Sequence, residues 1–269
     1  MRIAVCIKQV PDPQAPEGSF YVDEATNEPC WSPPAESVIS TFDLHAVEAA
    51  VQLKEQHGGH VVVLSLGPPD AERALRRALA AGADEAARIE ADAAPDGNRM
   101  AVAAALAAAI RKVGDIDLVL CGRIAADWDM GHVPMMLAEM LDIPGASPVL
   151  GLNRASDRVL VAERLADDGH EIAELDLPCL LAVSNELNEP RYPTMRATIE
   201  AQRKPLPTWG MTELEMVEQP AAPVTLRRLR GRDLTRPCEF IEGESAEAAG
   251  RSLAALLQDR GLVTAGDRS

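Results

Sequence analysis

The chain has 269 residues, which suits one large domain or one domain with an appendage. A hydrophobic content of 47% supports a real core, and a net charge of −16 argues against non-specific binding to nucleic acid. The five cysteines lie far apart without a CxxC pair, which predicts reduced thiols in a cytoplasmic protein. The amino terminus does not resemble a signal peptide, and no apolar run approaches the roughly 20 residues of a membrane span, so we expect no insertion into a membrane.

The first half of the chain alternates between short apolar runs and helical patterns. A polar stretch after the first run contains a possible surface hairpin, in which residues 20–22 would pair with residues 30–31. The strands are predicted at 3–7, 61–66, 87–90 and 117–122, and the helices at 42–53, 70–81, 98–113 and from Gly131 onward. Alternation of this kind predicts an α/β fold with a doubly wound, mostly parallel sheet.

The second half of the chain shows a different pattern of apolar and polar residues. Short strands at 149–152, 159–165 and 171–175 predict an antiparallel extension of the sheet, and another strand is predicted at 180–183. The pattern then predicts a short helix at 198–202, a proline-rich segment at 204–237 and a final helix at 245–260. A long segment with no core of its own usually wraps around another body or is disordered.

Three loops should meet at the carboxyl edge of the parallel strands, where ligands of such sheets bind. They are residues 8–12, 65–69 and 122–130. The last of these runs into the amino end of a helix, where free N–H groups and the helix dipole favour phosphate. An ordinary strand-to-helix connection is the alternative, because the loop contains neither a Walker pattern nor GxGxxG.

Asp127, Asp129 and the histidines are the candidates for catalytic or metal-binding groups. Asp127 and Asp129 more often serve as a helix cap and a solvated or ribose-binding carboxylate than as an acid/base pair, and no nucleophile lies near them. His57 and His60 flank two turn glycines, so we expect no metal site. His132 lies at a helix start and could contact a nucleotide. No catalytic residue is assigned.

The segment Asn188–Tyr192, NEPRY, is polar and has no periodicity. Prolines fix its path, and Arg191 could form a fork-shaped bond to a carbonyl or carboxylate. The segment is either a structural brace or a shaped surface for a partner, and the residues alone do not separate these readings.

Five segments form an ordered series along the chain. They are RIAVCIKQVPDP, FDLHAVEAAVQLKE, VVVLSLGPPDAERALRRALAAGAD, GRIAADWDMGHVP and LPCLLAVSNELNEPRYPTMRATIEAQRKP. These segments resemble the β subunit of electron transfer flavoprotein, the family that includes nitrogen-fixation electron carriers. The last segment is the most specific match, and the resemblance covers nearly the whole chain.

The resemblance implies a non-catalytic electron carrier that works as a heterodimer with an α subunit. Residues 1–203 would form a Rossmann-like nucleotide-binding domain, and residues 204–269 an arm and terminal helix that pack on α. Electrons would pass from partner dehydrogenases, through an FAD held mainly by α, to a quinone reductase or another acceptor. The β pocket would hold AMP with a structural role. Two alternatives stay open: a bifurcating subunit with a second FAD in that pocket, and a non-redox adenine-nucleotide-binding module.

The family pattern also implies individual residues. Met195 takes the position of an apolar anchor for partner proteins, in a docking segment with Asn188, Arg191 and Tyr192. The cofactor positions that it implies are Cys6, Ser40, Thr41, Phe42, Asp43, Leu66, Gly122, Arg123, Ala125, Asp127, Asp129, Met130, Gly131, His132 and Val133.

The chain departs from this pattern at several positions. The family often has Gln, Ile, Gly, Thr and Gln where this chain has Ile124, Ala126, Trp128, Met130 and His132. Leu165 replaces an acidic residue that faces α, and Glu200 and Arg203 occupy a docking segment usually richer in lysine. These changes suggest a divergent branch with its own partners.

Overall fold

The computed structural model describes residues 1–16, 18–91, 98–216, 226–230 and 238–263. The chain divides into two compact units, Met1–Leu229 and Arg230–Ser269. The strands are β1 Arg2–Cys6, β2 Gln9–Pro11, β3 Phe20–Asp23, β4 Glu28–Trp31, β5 Ser37–Ile39, β6 His60–Gly67, β7 Glu85–Glu90, β8 Leu118–Gly122, β9 Gly145–Arg154, β10 Val159–Ala166, β11 Gly169–Asp176, β12 Cys179–Val183 and β13 Thr208–Trp209. The helices are α1 Thr41–His57, α2 Glu72–Ala81, α3 Arg99–Val113, α4 Val133–Leu141, α5 Met195–Arg203 and α6 Ala246–Asp259.

One large sheet organises the first unit. Its strand order is β11-β10-β9-β12-β8-β1-β6-β7-β13. The pairs from β9 to β13 are parallel, and β10 and β11 are joined antiparallel to that edge. The predicted α/β class is therefore confirmed, as are the mostly parallel sheet and its antiparallel extension.

Helices cover both faces of this sheet, and β1 shows how. Ile3 and Val5 pack in an apolar cluster that also takes residues from α1 and α2. Ala4 and Cys6 point the other way, into a cluster with residues of α3 and α4. Successive strand residues face opposite sides, so a fully apolar strand is what a doubly covered sheet requires.

The amino-terminal hairpin is confirmed, with Phe20 opposite Trp31 in the pairing of β3 and β4. Their rings meet edge to face with centroids 5.4 Å apart. The second helix begins later than expected: Pro69–Ala71 forms a 3₁₀ turn, and α2 begins at Glu72. The helix predicted at 198–202 is longer, because the Thr194 hydroxyl accepts from the Ala197 N–H and caps a helix that starts at Met195.

The proline-rich segment differs most from its prediction. We expected an arm from residue 204 onward, yet Thr208 and Trp209 pair in parallel with Arg88 and Ile89 at the sheet edge. Leu214 is buried in the cluster with α3. The first compact unit accordingly continues beyond 203. A two-residue strand is too short to show a periodic pattern, which is why the sequence did not predict it. Residues 217–225 and 231–237 of the predicted arm lie outside the described residues.

The second unit contains α6, which begins after Ser245, whose hydroxyl accepts from the Ala248 N–H. None of its described residues is buried. Over the described ranges of both units, no helix is long and apolar enough to cross a bilayer.

Candidate functional site

A pocket opens at the carboxyl ends of β1, β6 and β8, where the sequence placed three converging loops. The structure brings most of the predicted cofactor positions together here. Those that line it are Cys6, Asp43, Leu66, Gly122, Ala125, Asp127, Met130, Gly131, His132 and Val133. The pocket therefore lies where a parallel α/β sheet usually binds its ligand.

Two cysteines form the floor. Cys6 of β1 and Cys121 of β8 are register partners on neighbouring parallel strands, and both are free thiols. A hydrogen bond with the Cys6 side chain raises the pKa of Cys121 well above its ordinary value, and burial adds to the effect. A buried thiol with a raised pKa stays protonated, so Cys121 behaves as a small apolar group rather than as a nucleophile.

Asp43 ties two pocket loops to each other. Its Oδ2 accepts from the Lys8 N–H at 2.7 Å, and its Oδ1 accepts from the Gly122 N–H at 2.9 Å. The residue is buried, and this burial raises the pKa of its carboxyl to about 7 despite the two N–H donors. Because it joins the ends of β1 and β8 through main-chain groups, Asp43 fixes the width of the pocket floor.

Contacts of the Lys8, Ser40 and Asp127 side chains hold the loop after β8. The Lys8 ammonium lies 2.5 Å from Oδ2 of Asp127, and Oδ1 of Asp127 accepts from the Trp128 N–H at 2.9 Å. The buried Ser40 hydroxyl accepts from the Ala126 N–H at 3.1 Å. These contacts use the side chains of Ser40 and Asp127 to hold the main-chain N–H groups of Ala126 and Trp128, which fixes the path of the loop.

Glycine is required where the strand meets the loop. A Cβ at Gly122 would lie 2.5 Å from Oδ1 of Asp43 and 2.7 Å from the Cβ of Phe42. Contacts that short would push α1 away from β8 and break the bond that Asp43 makes. Gly131 has a positive φ of 64°, a conformation that glycine adopts without strain, and it turns the chain into α4.

The remaining predicted cofactor positions lie around the pocket rather than in its lining. Ser40 and Thr41 begin α1, with Ser40 buried beneath the loop and Thr41 exposed. The Arg123 guanidinium lies over the Phe42 ring, 5.0 Å from its centroid. Asp129 is exposed, with a φ of 50°. Ser40, Thr41, Phe42, Arg123 and Asp129 are therefore not among the residues that line the pocket.

Several lining residues were not assigned from the sequence. Ile124 and Trp128 were noted only as departures from the family pattern, and Lys8 only as part of a loop. The others are Ile7, Arg99, Val102, Leu106, Cys121 and Pro134. Residues 99, 102 and 106 share one face of α3, so their spacing was the available signal. The alanine-rich composition of that helix concealed which face meets the pocket.

The NEPRY segment combines a brace with an exposed surface. His45 Nδ1 lies 2.8 Å from the Asn188 carbonyl oxygen, and the Asn188 amide donates to the His45 carbonyl at 3.0 Å. The Arg191 guanidinium donates to both oxygens of Glu48, at 2.8 and 3.0 Å, and to both oxygens of Glu55. Asn188 and Arg191 thus attach the segment to α1.

Electrostatics support this brace. Burial pushes the pKa of Glu48 upward, but the hydrogen bonds from Arg191 outweigh it and leave that pKa below its ordinary value. The same guanidinium lowers the pKa of Glu55. Tyr192 and Met195 follow directly and are 88% and 78% exposed. Of the four predicted docking residues, Tyr192 and Met195 are therefore the exposed ones, whereas Asn188 and Arg191 are used in the brace.

Comparison with known proteins places the chain in a family. The electron transfer flavoprotein domain matches residues 34–214. The caffeyl-CoA reductase-Etf complex subunit CarD of Acetobacterium woodii is 32% identical, over 98% of this chain and 100% of its own length. The electron transfer flavoprotein subunit beta of Thermoanaerobacterium thermosaccharolyticum is 41% identical over 76% of each chain. Protein FixA of Azotobacter vinelandii is 31% identical over 95% of this chain and 93% of its own length. The chain belongs to the electron transfer flavoprotein family, as a β-type subunit.

Proposed function

We propose that this subunit pairs with an α subunit, that the pair shares an FAD held mainly by α, and that the β pocket holds an adenine nucleotide, AMP, as a structural element. The observation that carries the nucleotide assignment is the pocket at the carboxyl ends of β1, β6 and β8. It combines an apolar floor with a loop held from below and the amino end of a helix.

The pocket suits the two parts of such a nucleotide. Leu66, Val102 and Leu106 offer apolar surface to a flat base. Val133 and Pro134 begin α4, whose free N–H groups and dipole favour a phosphate. Trp128 and Met130, which replace smaller or more polar residues of the family pattern, both line the pocket. Phosphate binding in this chain would therefore rest on main-chain donors rather than on hydroxyl and amide side chains.

Redox chemistry in this proposal belongs to the flavin, and the residues of this chain bind, position and dock. Tyr192 and Met195 form the proposed contact with partner oxidoreductases, because they are exposed beside a segment that Arg191 holds rigid. Relatives are named as subunits of a caffeyl-CoA reductase complex and of an acryloyl-CoA reductase. We therefore propose acyl-CoA oxidoreductases as the first partner class to test, with a quinone reductase or another acceptor downstream.

The test is co-expression with the α subunit, followed by analysis of the purified material. We expect a 1:1 complex with one FAD, and AMP in the extract after denaturation. Flavin absorbance and chromatography of the released nucleotides provide both numbers. Two FAD molecules and no AMP would replace this proposal with the bifurcating alternative. A stable monomer that binds adenine nucleotide without flavin would replace it with the non-redox module.

Docking is tested separately in the same complex. A Met195→Glu variant should slow electron transfer from the partner oxidoreductase while leaving the FAD content unchanged, since Met195 is exposed and lies outside the pocket. Ile199→Glu is a graded comparison on the same helix, because Ile199 is 49% exposed. Unchanged transfer rates in both variants would contradict the docking assignment.

A further inference from the structure

Two cysteines lie side by side on the floor of the pocket. Cys6 is the last residue of β1, and its register partner on the parallel strand β8 is Cys121. Both belong to the apolar cluster that contains residues of α3 and α4, so their side chains point to the same face of the sheet. Both also line the pocket, with exposed fractions of 6% and 4%. Their sulfur atoms are therefore neighbours on a surface that faces the pocket.

The other three cysteines do not share this arrangement, and the structure describes all of them. Cys179 is buried on β12 in the cluster on the opposite face of the sheet. Cys30 lies in β4 of the amino-terminal hairpin, and Cys238 is exposed. None of these three lines the pocket. Cys6 and Cys121 are thus the pair that shares both a sheet face and a pocket.

The surroundings of this pair favour a neutral product with an atom between the sulfurs. The hydrogen bond with Cys6, burial, and the charges of Cys6 and Asp43 all raise the pKa of Cys121. A metal dithiolate would need both thiols to ionise here, which burial makes costly. Adjacent strands lie about 4.7–4.9 Å apart, whereas the Cβ atoms of a disulfide lie about 3.5–4.5 Å apart. A bridge one atom longer than a disulfide therefore suits register partners better.

We infer that Cys6 and Cys121 form a dithiol site for trivalent arsenicals, in which one arsenic atom bridges the two sulfurs at the pocket floor. An organoarsenic oxide, R–As=O, supplies the arsenic. Each thiol forms one As–S bond, and the two thiol protons leave with the oxygen as water. The oxidation state of arsenic does not change, and the product is neutral. Once one sulfur has reacted, proximity favours the second bond. The site uses only the two thiols, so it does not depend on the proposed nucleotide.

The test uses phenylarsine oxide and the full chain in complex with its α partner, treated with charcoal to remove any bound nucleotide. Excess 2-mercaptoethanol then removes arsenic held by a single sulfur, and denaturing mass spectrometry weighs each chain separately. We expect one phenylarsenic group on this chain, released by 2,3-dimercaptopropanol. Two of the five cysteines are occupied in the adduct, so iodoacetamide should label the remaining three, and all five after release.

Cys6→Ala and Cys121→Ala should each lose the retained adduct completely. Cys179→Ala is the matched control, because it removes a fully buried cysteine from the neighbouring strand β12 outside the pocket, and it should keep the adduct. Thermal melting shows whether each variant is folded. An adduct retained in either pocket variant would overturn the inference, and so would the absence of a retained adduct in the unmutated complex, a result that needs no variant. Either result leaves the proposed nucleotide function standing, because that function is read from the released nucleotide.

Discussion

Replacing Arg191 by methionine tests the brace that holds the NEPRY segment. Methionine keeps much of the packing volume but removes the fork that the guanidinium forms with Glu48 and Glu55. The Glu48 side chain is 5% exposed, so its charge would be left buried with weaker compensation. Gln52 and the Arg191 main-chain N–H would still donate to it.

The magnitude follows from this geometry. Breaking a buried ion pair from one side costs about 3–5 kcal/mol. The Arg191 side chain is 35% exposed and two donors to Glu48 remain, so we expect a loss near the lower end, about 3 kcal/mol. For a unit of this size that corresponds to a fall in Tm of about 6–12 °C. The double variant Arg191→Met/Glu48→Gln should recover part of the loss, because the buried charge is gone.

The assay is thermal unfolding followed by circular dichroism, repeated at several pH values. Since the pKa of Glu48 is lowered in the folded chain, its contribution to stability is present above the unfolded pKa of about 4.3 and is lost as pH falls through the lower folded value. The difference between the parent and Arg191→Met should therefore shrink below about pH 4.

Arg196→Met is the matched control, because Arg196 forms one exposed pair with Glu200 on α5. It should leave the Tm unchanged within error. If Arg191→Met shifts the Tm no further than this control does, the fork does not hold the segment, and Arg191 is as free to dock as Tyr192 and Met195.

Three further changes test the pocket and the sheet edge. Gly122→Ala should lower the Tm and release bound nucleotide, because the new Cβ would lie 2.5 Å from Oδ1 of Asp43. Gly250→Ala is its control: no atom lies within 4 Å of the added Cβ, so the Tm should stay the same or rise. The pKa of the Asp43 carboxyl is raised to about 7 in the folded chain, so its contribution to stability falls as pH rises from about 4 through 7. Asp43→Asn removes this titration and should flatten the dependence of Tm on pH between those values. Leu214→Ala should cost about 2–4 kcal/mol in denaturant unfolding, and a loss below 0.5 kcal/mol would contradict the packing of that segment on α3.

The sequence predicted the strands and helices in which apolar residues recur at a regular spacing. The core strands and α1 to α4 show apolar periods long enough to detect, and the pocket followed from the rule that ligands bind at the carboxyl ends of parallel strands. Which individual residues line the pocket was harder to predict. Arg99 belongs to a helix whose alanines hide its inward face, and β13 has two residues, which is too few for an alternating pattern.

The NEPRY segment shows a different limit. Its residues allowed both a brace and a partner surface, because an arginine between Pro190 and Pro193 has no periodic neighbour that would reveal its partner. In the structure Arg191 belongs to the brace, and Tyr192 is exposed. Arg191 reaches carboxylates on α1 that are 143 and 136 residues away in the chain. Contacts between residues so far apart in the chain leave no pattern in the local sequence. Tyr192, the residue after Arg191, is exposed, and the local sequence does not distinguish the two either.

The contacts that fix the path of the pocket loop are few and lie at its base. Asp43 and Ser40 bind main-chain N–H groups, and Gly122 allows α1 to approach β8. The lining residues Trp128 and Met130 can therefore change without moving the loop. A chain built in this way can change the side chains of the lining while keeping the pocket in place, which is consistent with a family pattern that is preserved at Asp43 and Gly122 and replaced at Trp128 and Met130.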